Sequence, residues 1–381
     1  MLIAADRIVT PARVFAPGWV LVDGDRIADV RPGVPSRAPD IELPGATVVP
    51  GFVDAHAHGG GGASYDGGSP DDASTVARTH LAHGTTSMMA SLVSADHASL
   101  VGSVGRLADL VDDGLLAGIH LEGPWLSPEH AGAHDPELLV AATPGEVDAL
   151  LAAGRGHVRM VTLAPERPGG LEAIRRLTAA GVASAIGHTD ATYDQARAAL
   201  DAGASIGTHL FNGMRGLHHR EPGPIAALLE HPDAYVELIA DGVHVHPAAL
   251  RLAAGGKPQH TVLITDAMAA AAAADGDYRL GRMVVEVRDG VARLAGGGAI
   301  AGSTLTMAAA LRYAVREVGL PIEDAVRAAT ATPAAMLRLD RVGALLPGYR
   351  ADLVVLGADL EVRRVLHRGQ WVSGAGGFEA R

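Results

Sequence analysis

Eight short apolar runs, separated by stretches with helical periodicity, fill the middle of this chain and constrain its fold more than any other feature. They are TVVPGFVDAHAH, GTTSMMASLVS, LLAGIHLEGP, HVRMVTLAPE, VASAIGHTD, ASIGTHLFNGM, YVELIADGVH and HTVLITDAM. The segments between them include GLEAIRRLTAAG, TYDQARAALDAG and PAALRLAAGG. Each is amphipathic and closes on glycine, which ends helices readily. Short strands alternating with helices make a parallel sheet, and eight such units are what a TIM-like (β/α)8 barrel requires. A doubly wound open sheet would carry a glycine-rich dinucleotide loop after an early strand, and none is present. After the eighth run, DYRLGRMVVEVRDGVARLAGGG reads as an inserted β-hairpin with a DG turn, at about residues 276–298. TLTMAAALRYAVREVG and PIEDAVRAATATPAAMLRL then supply the helices that close the barrel.

The two ends read differently. MLIAADRIVT, GWVLVDGDRIADV and IELPGATVVPG at the start, and GALLPGYRADLVVLGADLEVRRVLHRGQWVSG at the finish, are short strands broken by turns. Residues 1–50 and 345–381 are therefore expected to pair into one small β-sandwich domain beside a barrel of residues 51–344. A length of 381 residues suits that division.

Polar residues fall at the C-terminal ends of the runs, where barrels of this kind carry their active sites. His56 and His58 end the first run, Glu122 the third, His188 the fifth, His209 the sixth, His244 the seventh and Asp266 the eighth. His56 and His58 are two apart, so on a strand both face the barrel mouth and can grip one ion. A lone histidine in a strand is ordinarily a packing residue. Seven convergent polar groups, buried without partners, would cost roughly 1–3 kcal/mol each, which a purely structural role does not repay. The set therefore reads as a metal site. Nitrogen and carboxylate donors suit zinc, ferrous iron or manganese without choosing among them. Two ions can be held, one by His56 and His58 and one by His188 and His209, with Glu122 between. Asp266 faces both from the last strand, as a ligand and as acceptor of a proton from bound water.

Composition removes other classes. With no cysteine there is no disulfide framework, no thiolate zinc site and no cysteine nucleophile. No apolar run approaches the ~20 residues of a membrane helix. Asp6 and Arg7 stand where a signal peptide needs apolar residues, so a cytoplasmic location is expected. A net charge of −12 argues against a nucleic-acid partner, though a few local cations could still hold a small anion.

At these residues the sequence resembles the amidohydrolase superfamily, through PGFVDAHAH, TATPA and GALLPGYRADLVVL. Within it the chain resembles the N-acetylglucosamine-6-phosphate deacetylases. The narrower signs are GIHLEGPWLSPEHAGAH, GHTDATYDQ, THLFNGM, REPG, IADGVHVHP, LITDAM and AGSTLTM, in the family's order across the whole barrel. The resemblance implies a metal-dependent deacetylase of amino-sugar catabolism or recycling. Glu122, His188 and His209 match the shared metal ligands, and His56 and His58 match the pair found in two-metal members. Related barrels often bridge their ions with a carboxylated lysine on the fourth strand. The single lysine here, Lys257, lies just before the eighth run, so Glu122 is expected to bridge.

The remaining roles follow from the same resemblance. Asp266 matches the catalytic acid/base, and His134 the histidine that contacts substrate and polarises the acetamide carbonyl. Ala133, Asn212, Gly213, Ala301, Gly302 and Ser303 fall in segments that meet the substrate, and Gly213 stands where some members have alanine. His244 and Arg220 match the phosphate contacts. The arginine is lent to the neighbouring subunit, which implies a homodimer. The histidines before it, His218 and His219, depart from the commonest pattern and are expected in an exposed loop. A cyclic-amide hydrolase would usually want the missing lysine. A purine or cytosine deaminase would place a glutamate shortly after a strand-end histidine, whereas TDA and LFN follow His188 and His209. A catalytically silent barrel would lack a ligand or Asp266, and none is missing.

Overall fold

A computed structural model describes residues 1–10 and 13–373. Eight parallel strands follow one another in chain order: β1 (Phe52–Asp54), β2 (Thr85–Leu92), β3 (Gly118–Glu122), β4 (Val158–Leu163), β5 (Ala183–Ile186), β6 (Ala204–Gly207), β7 (Tyr235–Ile239) and β8 (Thr261–Ile264). Each lies in one of the eight apolar runs. The barrel closes just past the ends of β1 and β8. There the Asp266 N–H donates to the His56 carbonyl at 2.8 Å, and Ala57 bridges Ala267 in parallel. The seam of the barrel is thus formed by the ligand-bearing segments themselves.

Strand alternation sorts the side chains into two layers. Val161, Leu163, Val236 and Leu238 pack outward against the helices, while Met89, Met160, Ile206 and Ile239 fill the barrel interior. The interior also holds a polar chain. His120 sits between the Ser91 and Thr162 hydroxyls, both at 2.9 Å, and Thr162 Oγ1 is 2.9 Å from Thr208 Oγ1. Helices 144–154 and 193–201 start on reciprocal capping boxes, Thr143 with Glu146 and Thr192 with Gln195.

The insertion after β8 has three strands rather than the expected two: Gly276–Leu280, Met283–Arg288 and Val291–Leu294, all antiparallel. The DG turn at Asp289–Gly290 lies between the second and third, both residues at positive φ as a tight hairpin turn requires. The additional turn, at Gly281–Arg282, is tied to the barrel by a hydrogen bond from Gly281 N–H to Asp66 Oδ2 at 2.8 Å.

The terminal segments share one sheet of strands Leu2–Val9, Val14–Phe15, Gly18–Asp23, Arg26–Pro32, Ile41–Pro50, Leu353–Leu356, Val362–His367 and Gln370–Trp371. It encloses its own core of Ile3, Ile8, Val20, Ile27, Val48, Leu353 and Leu366. Its edge strand Arg26–Pro32 also meets the segment leading into Leu353–Leu356, since Ile27 N–H donates to the Tyr349 carbonyl and Ala351 N–H to that of Asp25. The N- and C-terminal segments thus pair as expected, and they do so in one sheet. Of the C-terminal segment, residues 374–381 lie outside the described residues. Strand Ile41–Pro50 passes into β1 at Gly51, where a Cβ would sit 2.1 Å from Thr86 Oγ1, so only glycine fits. No helix among the described residues is long and apolar enough to cross a membrane.

Candidate metal centre

The strand ends bring four imidazoles and two carboxylates into contact. Glu122 lies at the centre. Its Oε1 is 3.0 Å from His209 Nε2 and 3.1 Å from His188 Nε2, and its Oε2 is 3.2 Å from His58 Nε2. Asp266 Oδ1 lies 3.3 Å from His58 Nε2 and 3.5 Å from His56 Nε2. The imidazoles are paired: His56 Nε2 is 3.1 Å from His58 Nε2, and His188 Nε2 is 3.1 Å from His209 Nε2. His188, His209 and Asp266 all have φ between +28° and +49°, in the left-handed region. Each such residue costs roughly 1–3 kcal/mol, a strain that turns all three side chains into the barrel mouth.

Hydrogen bonds at the far nitrogens decide what the near ones offer. His58 Nδ1 faces the Ser91 carbonyl at 3.2 Å, His188 Nδ1 faces the His130 carbonyl at 2.7 Å, and His56 Nδ1 faces Glu237 Oε2 at 3.2 Å. Carbonyls and carboxylates only accept, so each Nδ1 carries the hydrogen. In the neutral ring Nε2 is then a lone pair. Those lone pairs converge on one another and on the carboxylates, an arrangement that a cation between them satisfies. The donor set thus fits divalent ions, with His56, His58 and Asp266 as one group.

His134 is different. Its Nδ1 accepts from Ser94 N–H at 3.3 Å, so its Nε2 carries the hydrogen and points at Glu122 Oε2, 3.4 Å away. It presents a donor, the form that can polarise a carbonyl oxygen. Burial drives its pKa down to about 4, keeping the ring neutral.

The charges agree with this division. Burial opposes ionisation of Glu122, but His56 and His188 beside it hold its carboxyl well below the usual range. Burial also works against Asp266, and His56 and His58 bring it to about 2. For His58 burial is outweighed by Asp266 and Glu122, which lift the ring to about 9. A cluster that holds protons this firmly favours positive charge between its imidazoles, and protons compete with metal for the same lone pairs.

The cavity above this cluster is lined by Ala133, His134, Asn212, Gly213, His244 and Gly302, together with the ligands His58, Glu122, His188, His209 and Asp266. Leu280 and Ile300, from the insertion and the segment that follows it, complete the wall. His244 Nδ1 lies 2.6 Å from Asp241 Oδ2, and although burial opposes it, Asp241 raises the imidazole's pKa. Two glycines press on His188: a Cβ at Gly132 or Gly213, both at positive φ, would come within about 3.1 Å of its ring. A larger cavity of about 490 Å3 opens at the other end of the barrel, beside Val158 and Tyr235. No ligand lines it, so chemistry rather than size locates the site.

Three expected contacts are not in this wall. Ala301 is buried against the insertion. Ser303 Oγ donates to the Thr265 carbonyl at 2.6 Å, and its N–H to that of Asp266 at 2.7 Å, so it fixes the last strand's end. Arg220 sits in an exposed loop, its guanidinium 2.8 Å from His219 Nε2, outside the cavity of its own chain. Two buried acids escaped the sequence reading. Asp54 accepts from the Thr265 hydroxyl at 2.6 Å, and burial carries its pKa up to about 6. Glu237 holds His56. Each is a single acid in an apolar run, which was the available signal.

Residues 47–372 match the model of the amidohydrolase family. The chain is similar to an N-acetylgalactosamine-6-phosphate deacetylase of Escherichia coli O157:H7, 40 % identical over 363 residues that cover 93 % of this chain and 96 % of that one. It is similar to an N-acetylglucosamine-6-phosphate deacetylase of Vibrio furnissii, 37 % identical with 94 % and 87 % covered. Among solved structures it resembles an Asp-to-Ala variant of N-acetyl-D-glucosamine-6-phosphate deacetylase from Mycobacterium smegmatis in complex with N-acetyl-D-glucosamine-6-phosphate. That chain is 50 % identical, with a TM-score of 0.96 and 97 % and 98 % of the two chains covered.

Proposed function

The chain belongs to the amidohydrolase family, and we propose that it hydrolyses N-acetylglucosamine 6-phosphate to glucosamine 6-phosphate and acetate. The observation that carries this reading is the division of labour among the histidines. Three with hydrogen-bonded Nδ1 atoms turn lone pairs toward Glu122 and Asp266, while His134, beside them, turns an N–H toward Glu122 in the same cavity. His56, His58 and Asp266 would hold one divalent ion and His188 and His209 the other, with Glu122 bridging. Bound there, the ions would supply Lewis-acid polarisation and lower the pKa of water toward ~7.

The chain's own groups do the rest. The His134 N–H donates to the acetamide oxygen as charge develops on it. Asp266 accepts the proton of the attacking water and delivers it to the departing amine, because an amide nitrogen leaves poorly until protonated. His244, oriented by its hydrogen bond to Asp241, meets the phosphate, and Asn212, Gly213, Ala133 and Gly302 frame the sugar. Ala301 and Ser303 support Gly302 from behind. Holding the phosphate away from the reacting bond converts binding energy into orientation of the amide.

Arg220 would reach the phosphate bound by a neighbouring copy in a homodimer. Its exposed position, next to the exposed Leu217, supports this. A guanidinium suits the task through its fixed fork of donors. The absence of cysteine supports a cytoplasmic enzyme. Acetate release from N-acetylglucosamine 6-phosphate, compared with its galacto epimer and with the unphosphorylated sugar, tests the reading.

A further inference from the structure

Glu237 lies in the middle of β7 and is completely buried. Val236 and Leu238 face the helices and Ile239 faces the barrel interior, so strand alternation turns Glu237 inward. A carboxylate in such a place persists only with partners. One oxygen has them. Oε2 lies 3.2 Å from His56 Nδ1 and accepts the His209 main-chain N–H at 3.3 Å. The other, Oε1, is buried with no hydrogen-bond partner among the described residues. The residue's main-chain carbonyl also accepts Leu210 N–H at 2.8 Å. Glu237 is therefore fastened to one member of each imidazole pair: the ring of His56 and the backbone that carries His209.

This attachment is unlike the others in the cluster. His58 and His188 take their tautomers from main-chain carbonyls, which every sequence with this fold would offer. His56 takes its own from a side chain. Nothing adjacent can replace it: the His120 ring lies edge-to-face 4.4 Å away, but both its nitrogens are engaged by Ser91 and Thr162. Charge points the same way. Two divalent ions would bring four positive charges into the buried end of the barrel, Glu122 and Asp266 would answer two of them, and Glu237 is the third carboxylate in contact with the cluster.

We infer that Glu237 is a positioning residue that fixes His56 as a metal ligand and so sets occupancy of the His56–His58 position. A carboxylate bonded to the far nitrogen of a ligating histidine fixes its tautomer and raises its basicity, and losing such a partner typically weakens metal binding ~10–100-fold. The inference rests on the two-ion reading above.

The test is metal content and affinity in the wild type, Glu237→Gln and Glu237→Ala. Each is saturated with Zn2+, dialysed, assayed by elemental analysis and titrated with a chromophoric chelator. The wild type holds about two ions per subunit and Glu237→Ala about one, retained by His188 and His209. Glu237→Gln still offers an oxygen to His56 but no charge; it holds both ions, the weaker one bound ~10–100-fold less tightly. A purely structural role would lower stability without selecting one ion or ranking Gln above Ala. Two ions at wild-type affinity in Glu237→Ala overturn the inference and leave the two-ion reading intact. A wild type that saturates at one ion overturns the two-ion reading, and the inference with it. Should Glu237→Ala not fold, unchanged affinity in Glu237→Gln overturns the inference alone.

Discussion

The Nε2 atoms of His56 and His58 face each other across 3.1 Å, while the Nδ1 of each ring is hydrogen-bonded elsewhere. Two lone pairs aimed at one another in a buried barrel repel unless a cation lies between them. Replacing both residues with alanine should therefore remove about one ion per subunit, leave the His188–His209 ion in place and greatly reduce turnover. Elemental analysis of the purified double variant checks this; full metal content would contradict the assignment.

Asp266 lies within 3.5 Å of both His56 and His58, at a strained backbone position. Asp266→Asn keeps the shape and loses the base. Turnover should fall at least ~10²-fold, the low end for general acid–base catalysis, with metal content largely kept. Near-normal rates in the folded variant would place the proton carrier elsewhere.

The ligand set was legible because barrel geometry puts chemistry at strand ends, and seven polar residues at the ends of six of the eight runs sit there in plain order. The DG turn of the insertion was legible for a local reason, its need for two positive φ values. Glu237 was not, because an acid within YVELIA looks the same whether it is supported by a histidine or merely tolerated. Nor could sequence show that Ser303 turns its hydroxyl to the Thr265 carbonyl, or that Leu280 joins the cavity wall. Those facts depend on how the insertion folds back across the mouth. Tautomers were out of reach altogether, since the His134 donor and the His58 lone pair are set by Ser94 and Ser91 main-chain groups distant in sequence.

Burial drives the His80 imidazole down to about 4, with its Nε2 2.9 Å from the Gly59 carbonyl. An unfolded histidine titrates near ~6.5. Between those values the unfolded chain binds a proton that the native state refuses. His80's contribution is therefore present above pH ~6.5 and is lost as pH falls toward 4, at up to ~1.4 kcal/mol per unit. His80→Gln cannot take up that proton. Denaturant unfolding of both proteins should show the wild type losing stability faster on acidification across this window; parallel curves would exclude the linkage.

If Arg220 serves a neighbouring copy, an Arg220→Ala subunit and an Asp266→Asn subunit should complement each other. A mixed dimer then has one site with an intact Asp266 and Arg220 of the partner subunit. Partial recovery of activity in verified mixed dimers is the expected result. Failure there removes the shared site and leaves the chemistry untouched.

Acetate release from phosphorylated and unphosphorylated N-acetylglucosamine, by the same metal-loaded preparation, tests the central claim most directly. A hydrogen bond to a charged group contributes roughly 1.5–3 kcal/mol, so losing one phosphate contact lowers kcat/KM by ~10–150-fold and losing two lowers it further. The phosphorylated sugar should be preferred by at least the lower figure, and a chelator should abolish both activities. Equal kcat/KM on the two sugars, or acetate release that survives complete removal of metal, would contradict the account.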